Sequence, residues 1–306
     1  MANLIAIGIF TGFIFSMVAL GYTLVYGVLR LINFAHSEVL TSGAFGSYFV
    51  TRVIWGYQPL PVTGVSAVIY VVLGIVVGGV VGALVALLIE RVAYRPLRRR
   101  HAPKLTFLIS AIGASYFLYN FIGKEFGRYQ QTLPNAPNNG TAFTVFGAQI
   151  TTYDLITAVA AIVLLVALDL LVSRTKLGRG IRAVAQDAEA ASLMGVNIDW
   201  TIASTFAIGG FLGGAAGFLF ALLENGLSYQ MGFKPALFAF TAAVLGGIGN
   251  VRGAMIGGLV LGLAMNVPQY WLQNVWLEEV VGFLVLVLVL LFRPTGILGE
   301  RLGRSA

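Results

Sequence analysis

The chain has no cysteine, which excludes disulfides, thiolate metal sites and cysteine nucleophiles. Histidine is scarce as well: His36 and His101 are the only two, too few for a multi-histidine metal centre. Charge is the third shortage. Only 10% of the 306 residues are Asp, Glu, Lys or Arg, against 58% hydrophobic, whereas a soluble domain carries about 25% charged residues. With mean hydropathy +0.89, the chain has too little polar surface to face water, and lipid is its expected solvent. Its net charge of +7 does not point to nucleic acid, because the basic residues fall in short gaps between apolar runs, where they report membrane topology.

What is present is a series of long runs without charge. Residues 2–29, 53–89, 105–123, 200–223 and 253–277 are each long enough for a membrane helix, which needs about 20 residues. Residues 153–173 read as a span flanked by Asp154 and Asp169, and 280–292 as a span if Trp276 and Leu277 belong to it. Residues 37–52 and 235–250 each read as a full span or a re-entrant half-helix. The expected fold is all-α: one polytopic transmembrane bundle over residues 1–306, with eight or nine membrane helices, some broken or re-entrant. The first run is longer than a signal-peptide core and lacks a basic leader, so it reads as a retained helix.

Lysine and arginine set the expected orientation. Arg91, Arg95, Arg98, Arg99, Arg100 and Lys104 share one gap; Arg174, Lys176, Arg179 and Arg182 a second; Arg293, Arg301 and Arg304 the tail. These regions should be cytoplasmic, the C-terminus included. The loop 124–150 has two basic residues and the turn-rich run LPNAPNNG, so it should face outward, as should the N-terminus.

Glycines recur at four-residue spacing: Gly74, Gly78 and Gly82; Gly209, Gly213 and Gly217 beside Gly210 and Gly214; Gly253 with Gly257, and Gly258 with Gly262. Such rows let helix backbones approach closely. A faint repeat pairs LVYGVLRLINFAHSEV with AAVLGGIGNVRGAMIGG, each an apolar stretch with a polar or glycine interruption.

Two segments concentrate polar chemistry. Asn33, His36, Ser37 and Glu38 lie between apolar stretches. Ser37 or Asn33 reads as a cap for the next helix, with Glu38 in its first turn; equally, the cluster reads as lining for a pathway, since ionisable groups at membrane depth are costly. Gly246, Gly247, Gly249 and Asn250 form a second interruption and a second candidate lining. The loop from Arg174 to Asp199 is the longest polar stretch on the basic side. Ile181, Val184, Ala185, Ala188, Ala191, Leu193 and Met194 fall at helical spacing there, so one amphipathic helix over 181–194 is expected, ended by Gly195.

Glu189-Ala190-Ala191 followed by Gly195 matches the EAA-x-x-x-G loop of ABC importer permeases. GYTLVYGVLRLINFAHSEV, IERVAYRPLR, LISAIG, LGRGIRAVAQDAEAASLMGVNID, FTAAVLGGIGNVRGAMIGGLVLG and RPTGILG occur in order from residue 21 to 299. Together they resemble the smaller permease of high-affinity branched-chain amino-acid ABC transporters. Ser37, where the family usually reads Gly, and Phe238, where relatives often carry Lys, depart from the pattern. The resemblance implies a coupling helix set in a cleft of the ATPase, with Arg182, Asp187, Glu189, Ala190, Ala191 and Gly195 at that contact. It also implies a second homologous permease, two cytosolic ATP-binding subunits and a periplasmic or lipid-anchored binding protein, in a bacterial inner membrane. Relatives importing urea or short amides leave the cargo open.

The chain has no G-x-x-x-x-G-K-[ST] loop to cradle ATP phosphates, so nucleotide energy is expected from a partner, and no cofactor is expected. A carrier or channel without ATPase partners would share the composition but not need the EAA loop. An enzyme fits poorly: His36 and Ser37 are adjacent and do not face each other on a helix, and Asp154 and Asp169 lie near opposite ends of one span.

Overall fold

A computed structural model describes residues 1–56, 61–134, 136–268, 277–293 and 295–299. The chain is an all-α polytopic membrane bundle. Among the described residues the helices are α1 (Ala2–Leu29), α2 (His36–Trp55), α3 (Gly64–Ile89), α4 (Arg95–Arg99), α5 (Lys104–Glu125), α6 (Thr152–Arg174), α7 (Lys176–Gln186), α8 (Ala188–Leu193), α9 (Ile198–Leu223), α10 (Phe233–Gly246), α11 (Val251–Asn266) and α12 (Leu277–Phe292). By length and composition α1, the rod Gly64–Arg99, α5, α6 and α9 are each able to cross a membrane. A hairpin of β1 (Thr141–Val145) and β2 (Ala148–Thr151) decorates the turn-rich loop.

The charge-free runs locate most helices, with instructive exceptions. Residues 53–89 are not one helix: α2 ends at Trp55, where Gly56 takes φ +63°, and α3 starts only at Gly64. At the other end α3 does not stop with its apolar run. It continues through a π-turn, Glu90–Tyr94, into α4. Pro96 explains the π-turn, since it has no N–H to donate and its ring crowds the carbonyl four residues back. Residues 235–250 are likewise two pieces. α10 ends at Gly246, Gly247 turns at φ +105°, and Asn250 caps α11 by accepting from the Gly253 N–H at 3.0 Å. At 14 residues α10 is only about 21 Å long. α11 ends at Asn266; the remainder of run 253–277 from residue 269, the Trp276 extension of the last span, and Arg301 and Arg304 lie outside the described residues.

Small residues decide how the helices pack. α3 runs antiparallel to α9. A Cβ on Gly74 would strike Phe218, one on Gly78 the Gly214 carbonyl at 2.8 Å, and one on Gly82 would meet Gly210 and Gly214. α11 runs antiparallel to α1 in the same manner, Gly8 and Gly12 meeting Gly262, Leu259 and Gly258. Ser16 Oγ donates across this seam to the Met255 carbonyl at 2.7 Å. Away from the seam α3 is apolar and exposed, along Val68, Val72, Val76, Val80, Leu84 and Leu88. With no hydrophobic drive between helices in lipid, close backbone contact and dispersion hold them together.

The arrangement occurs twice. α2 rests on α3 and α9, with Ser47 Oγ donating to the Gly74 carbonyl at 2.7 Å. α10 rests on α11 and α1, where Phe238 meets Phe15 with ring centroids 5.8 Å apart. The packing therefore pairs α2 with α10. The faint repeat in the sequence instead matches the break before α2 with the break after α10, one break too late, because a glycine interruption looks the same at either end of a helix.

Candidate functional site

The polar interruption after α1 is buried. α1 ends at Arg30, whose left-handed φ of 52° and N–H bond to the Tyr26 carbonyl at 2.6 Å turn the chain back. Asn33 Oδ1 then accepts from the Ala35 N–H at 3.1 Å and from the Tyr94 hydroxyl at 3.2 Å. Neither Asn33 nor Ser37 caps α2: Ala35 stands at the N-cap and no side chain accepts there. Ser37 Oγ lies instead 3.1 Å from both the Phe34 carbonyl and Glu38 Oε1, and its single hydrogen is donated to one of them at a time.

His36, 2% exposed, sits in a slot made of glycines. Its Nε2 lies 3.1 Å from where a Cβ on Gly213 would be, a Cβ on Gly21 would overlap its ring, and Tyr22 packs edge-on with centroids 4.8 Å apart. Glu38, 4% exposed, also accepts from Ser115 Oγ of α5 at 3.4 Å. Three buried polar atoms of this cluster have no partner among the described residues: Asn33 Nδ2, His36 Nε2 and Glu38 Oε2. An unmet buried polar atom costs about 1–3 kcal/mol, so the protein's own side chains leave part of this cluster's desolvation cost without an offset.

The structure does not bring Gly246, Gly247, Gly249 and Asn250 to this cluster. They lie at the far end of α10. It is the start of α10 that reaches the cluster, Gly232 abutting Ser37 and Thr41. Gly246 packs on Gly253, and Gly247 on Gly296 and Gly299 of the tail. The tail is tied down by Ile297 N–H to the Leu245 carbonyl at 2.8 Å, and Asn250 Nδ2 donates to the Leu298 carbonyl at 2.8 Å. Tyr22, Gly213, Ser115 and Gly232 are cluster neighbours that sequence reasoning missed. Only Gly213 carried a signal, its place in a glycine row.

The stretch expected as one amphipathic helix over 181–194 is bent into two. Asp187 leaves the helical conformation, and its Oδ1 accepts from the N–H groups of Glu189 at 2.9 Å and Ala190 at 3.0 Å, ending α7 and capping α8. Gly195, φ +83°, ends α8 as expected. The elbow is anchored inward: Ile181, Val184 and Ala191 are buried, Arg182 donates to the Val172 carbonyl, and Gly178 lies on the same carbonyl. Outward it presents Glu189 and Ala190, with Leu193 87% and Met194 85% exposed. Leu193 and Met194 thus leave an adjacent pair of apolar side chains uncovered at the turn.

Beside the elbow, Asp199 at the start of α9 holds three arginines of α4. Arg95 donates to it at 2.7 Å, Arg98 at 2.5 Å and Arg99 at 3.2 Å. Arg98 also reaches the fully buried Glu90 of the π-turn at 3.3 Å. This cluster ties the end of the α3–α4 rod to α9.

Comparison with known proteins agrees with this architecture. Residues 4–290 match the family model described as the permease component of branched-chain amino acid transport systems. The chain is 38% identical to the high-affinity branched-chain amino acid transport system permease protein LivH of Salmonella typhimurium, over 96% of this chain and 94% of that protein. It is 37% identical to the corresponding protein BraD of Pseudomonas aeruginosa, over the same shares. A probable branched-chain amino acid transport permease protein of Methanocaldococcus jannaschii is 26% identical, over 92% of this chain and 88% of that one.

Proposed function

The chain belongs to the family of permease components of branched-chain amino acid transport systems, and from that premise we propose that it is the membrane-spanning subunit of an ATP-binding-cassette importer for leucine, isoleucine and valine. It works in a bacterial inner membrane beside a second homologous permease, two cytosolic ATPases and an external binding protein. The arginine-bearing end of the bundle faces the cytoplasm, as the positive-inside rule favours, and the N-terminus faces outward.

The observation that carries this reading is the α7–α8 elbow. Its inner side is locked to α6 through Val172, and its outer side offers Glu189, Leu193 and Met194 to a partner. Closure of an ATPase dimer against α8 presses on α7, which packs on α1, α6 and α9, the helices that carry the polar cluster or lie next to it. Asp187 sets the bend, Arg182 fastens the elbow to α6, and Ala191 and Gly195 shape the docking turn. Asn33, His36, Ser37 and Glu38 then supply polar groups to an opening passage, Glu38 suiting the ammonium and Asn33 the carboxylate of an amino acid. Gly246, Gly247, Gly249 and Asn250 form the pivot between α10 and α11.

Glu189→Arg, co-expressed with the partner subunits, tests the assignment. ATP-dependent uptake and co-purification of the ATPase should both be lost, while the permease remains in the membrane at its usual level. Undiminished uptake and assembly would remove the docking role. Solute movement by the purified chain alone in liposomes would replace the importer with a carrier.

A further inference from the structure

The arginines near Asp199 are more numerous than its charge can balance. The stretch from the π-turn to the end of α4 and one residue beyond carries Arg91, Arg95, Arg98, Arg99 and Arg100, while the carboxylates among them are Glu90 and Asp199. Neither Arg91 nor Arg100 has an ion-pair partner among the described residues. Two adjoining cavities open here. One, of about 300 Å³, is walled by Arg91, Arg95, Arg99 and Arg100. The other, of about 430 Å³, shares Arg91 and Arg95, is bordered by Asn197 and the Asp199 carboxylate, and runs between the end of α3 and the start of α9 over Leu87, Ala203, Ser204 and Ala207. Trp200, 66% exposed, stands at its edge.

This is a two-part cleft, with excess positive charge at the helix ends and a floor of Leu87, Ala203 and Ala207, interrupted by Ser204, running into the membrane-spanning part of α3 and α9. Guanidinium forks suit phosphate oxygens. An exposed tryptophan beside arginines belongs to the headgroup level of a bilayer. A free phosphate would use only the arginine compartment; the apolar floor is accounted for by an acyl chain. We infer that the cleft between α3–α4 and α9 binds the phosphodiester headgroup of an anionic phospholipid, Arg91 and Arg100 taking the phosphate while Leu87, Ala203 and Ala207 receive the start of an acyl chain. The site holds that end of the α3–α4 rod at the bilayer surface, next to the elbow. It stands whether or not the importer reading does.

The test uses the full chain purified in zwitterionic detergent, with phosphatidylglycerol, phosphatidylcholine or inorganic phosphate added at equal concentration. Retained lipid is counted by native mass spectrometry and the melting temperature is followed. Phosphatidylglycerol should be retained and raise the melting temperature; the other two should not. Arg91→Gln with Arg100→Gln should weaken retention roughly 30-fold, taking the interfacial scale for each basic residue, without changing the melting temperature in phosphatidylcholine. If that pair misfolds, Arg100→Gln alone, at the outer edge of the arginine compartment, should weaken retention roughly fivefold on the same scale, and unchanged retention there overturns the inference equally. Three results would overturn the inference: unchanged retention in the glutamine pair, equal stabilisation by inorganic phosphate, or a defect of the pair confined to binding the cytosolic ATPase, which would make the arginines a protein contact.

Discussion

α9 and α5 are both apolar helices of similar length, yet they live in different surroundings. In its most apolar stretch α9 is 72% buried within the chain, and α1 61%; α5 is 22% buried and α6 28%. The buried pair carry glycine where a neighbour's backbone arrives. α5 carries bulk outward instead, with Ile109, Ile112, Tyr116 and Phe117 all exposed. Apolarity sends both helices into the membrane, but side-chain size decides which become the interior, since lipid tails solvate large apolar side chains as well as protein does.

That contrast is open to direct attack. The largest effect is expected at Gly214, where a Cβ would collide with the Gly78 carbonyl. Gly214→Leu should cost about 3 kcal/mol or more, at or beyond the upper end of overpacking costs, and abolish the folded protein in detergent. Gly113→Leu on α5, with nothing within 4 Å, should melt like the parent. Similar losses in both would dissolve the distinction. Next comes Leu193→Asp with Met194→Asp. Uptake by the reconstituted importer should fall more than tenfold, on the order of one lost hot spot, while the chain alone keeps its melting temperature. Asp199→Asn removes the shared partner of three partly exposed arginines. It should cost about 1 kcal/mol, the scale of exposed ion pairs, read as a melting shift that shrinks in high salt. The most local effect, confined to one short helix, is expected at Asp187→Ala. Loss of its cap should cost about 1 kcal/mol within α8, visible as faster amide exchange at Glu189 and Ala190 with the rest of the bundle unchanged.

Much of the interior was legible because membrane helices write themselves as runs without charge, and α1 coincides with its run. The glycine rows also read correctly as close-crossing faces. The helical course from Glu90 to Arg99 was not legible, because a run dense in arginine looks like a loop when charge is the only guide. Asp187 was ambiguous for another reason: the same residue serves the polar face of a helix or the cap of the next, and only its bonds to Glu189 and Ala190 decide. The arginine grip on Asp199 joins residues about a third of the chain apart, which no local pattern announces. The end of the amphipathic stretch at Gly195 was legible, whereas its bend at Asp187 was not.

The seam between α1 and α11 sets the order in which the molecule can be finished. α1 leaves the ribosome well before its partner α11, on the order of ten seconds or more earlier at roughly 5–20 residues per second. Throughout that interval the groove along Gly8 and Gly12 must be occupied by lipid tails, and those tails are expelled only when Gly258 and Gly262 arrive. A nascent chain stopped short of residue 251 is therefore an open clasp, and two fragments made separately on either side of the hairpin should close it between them.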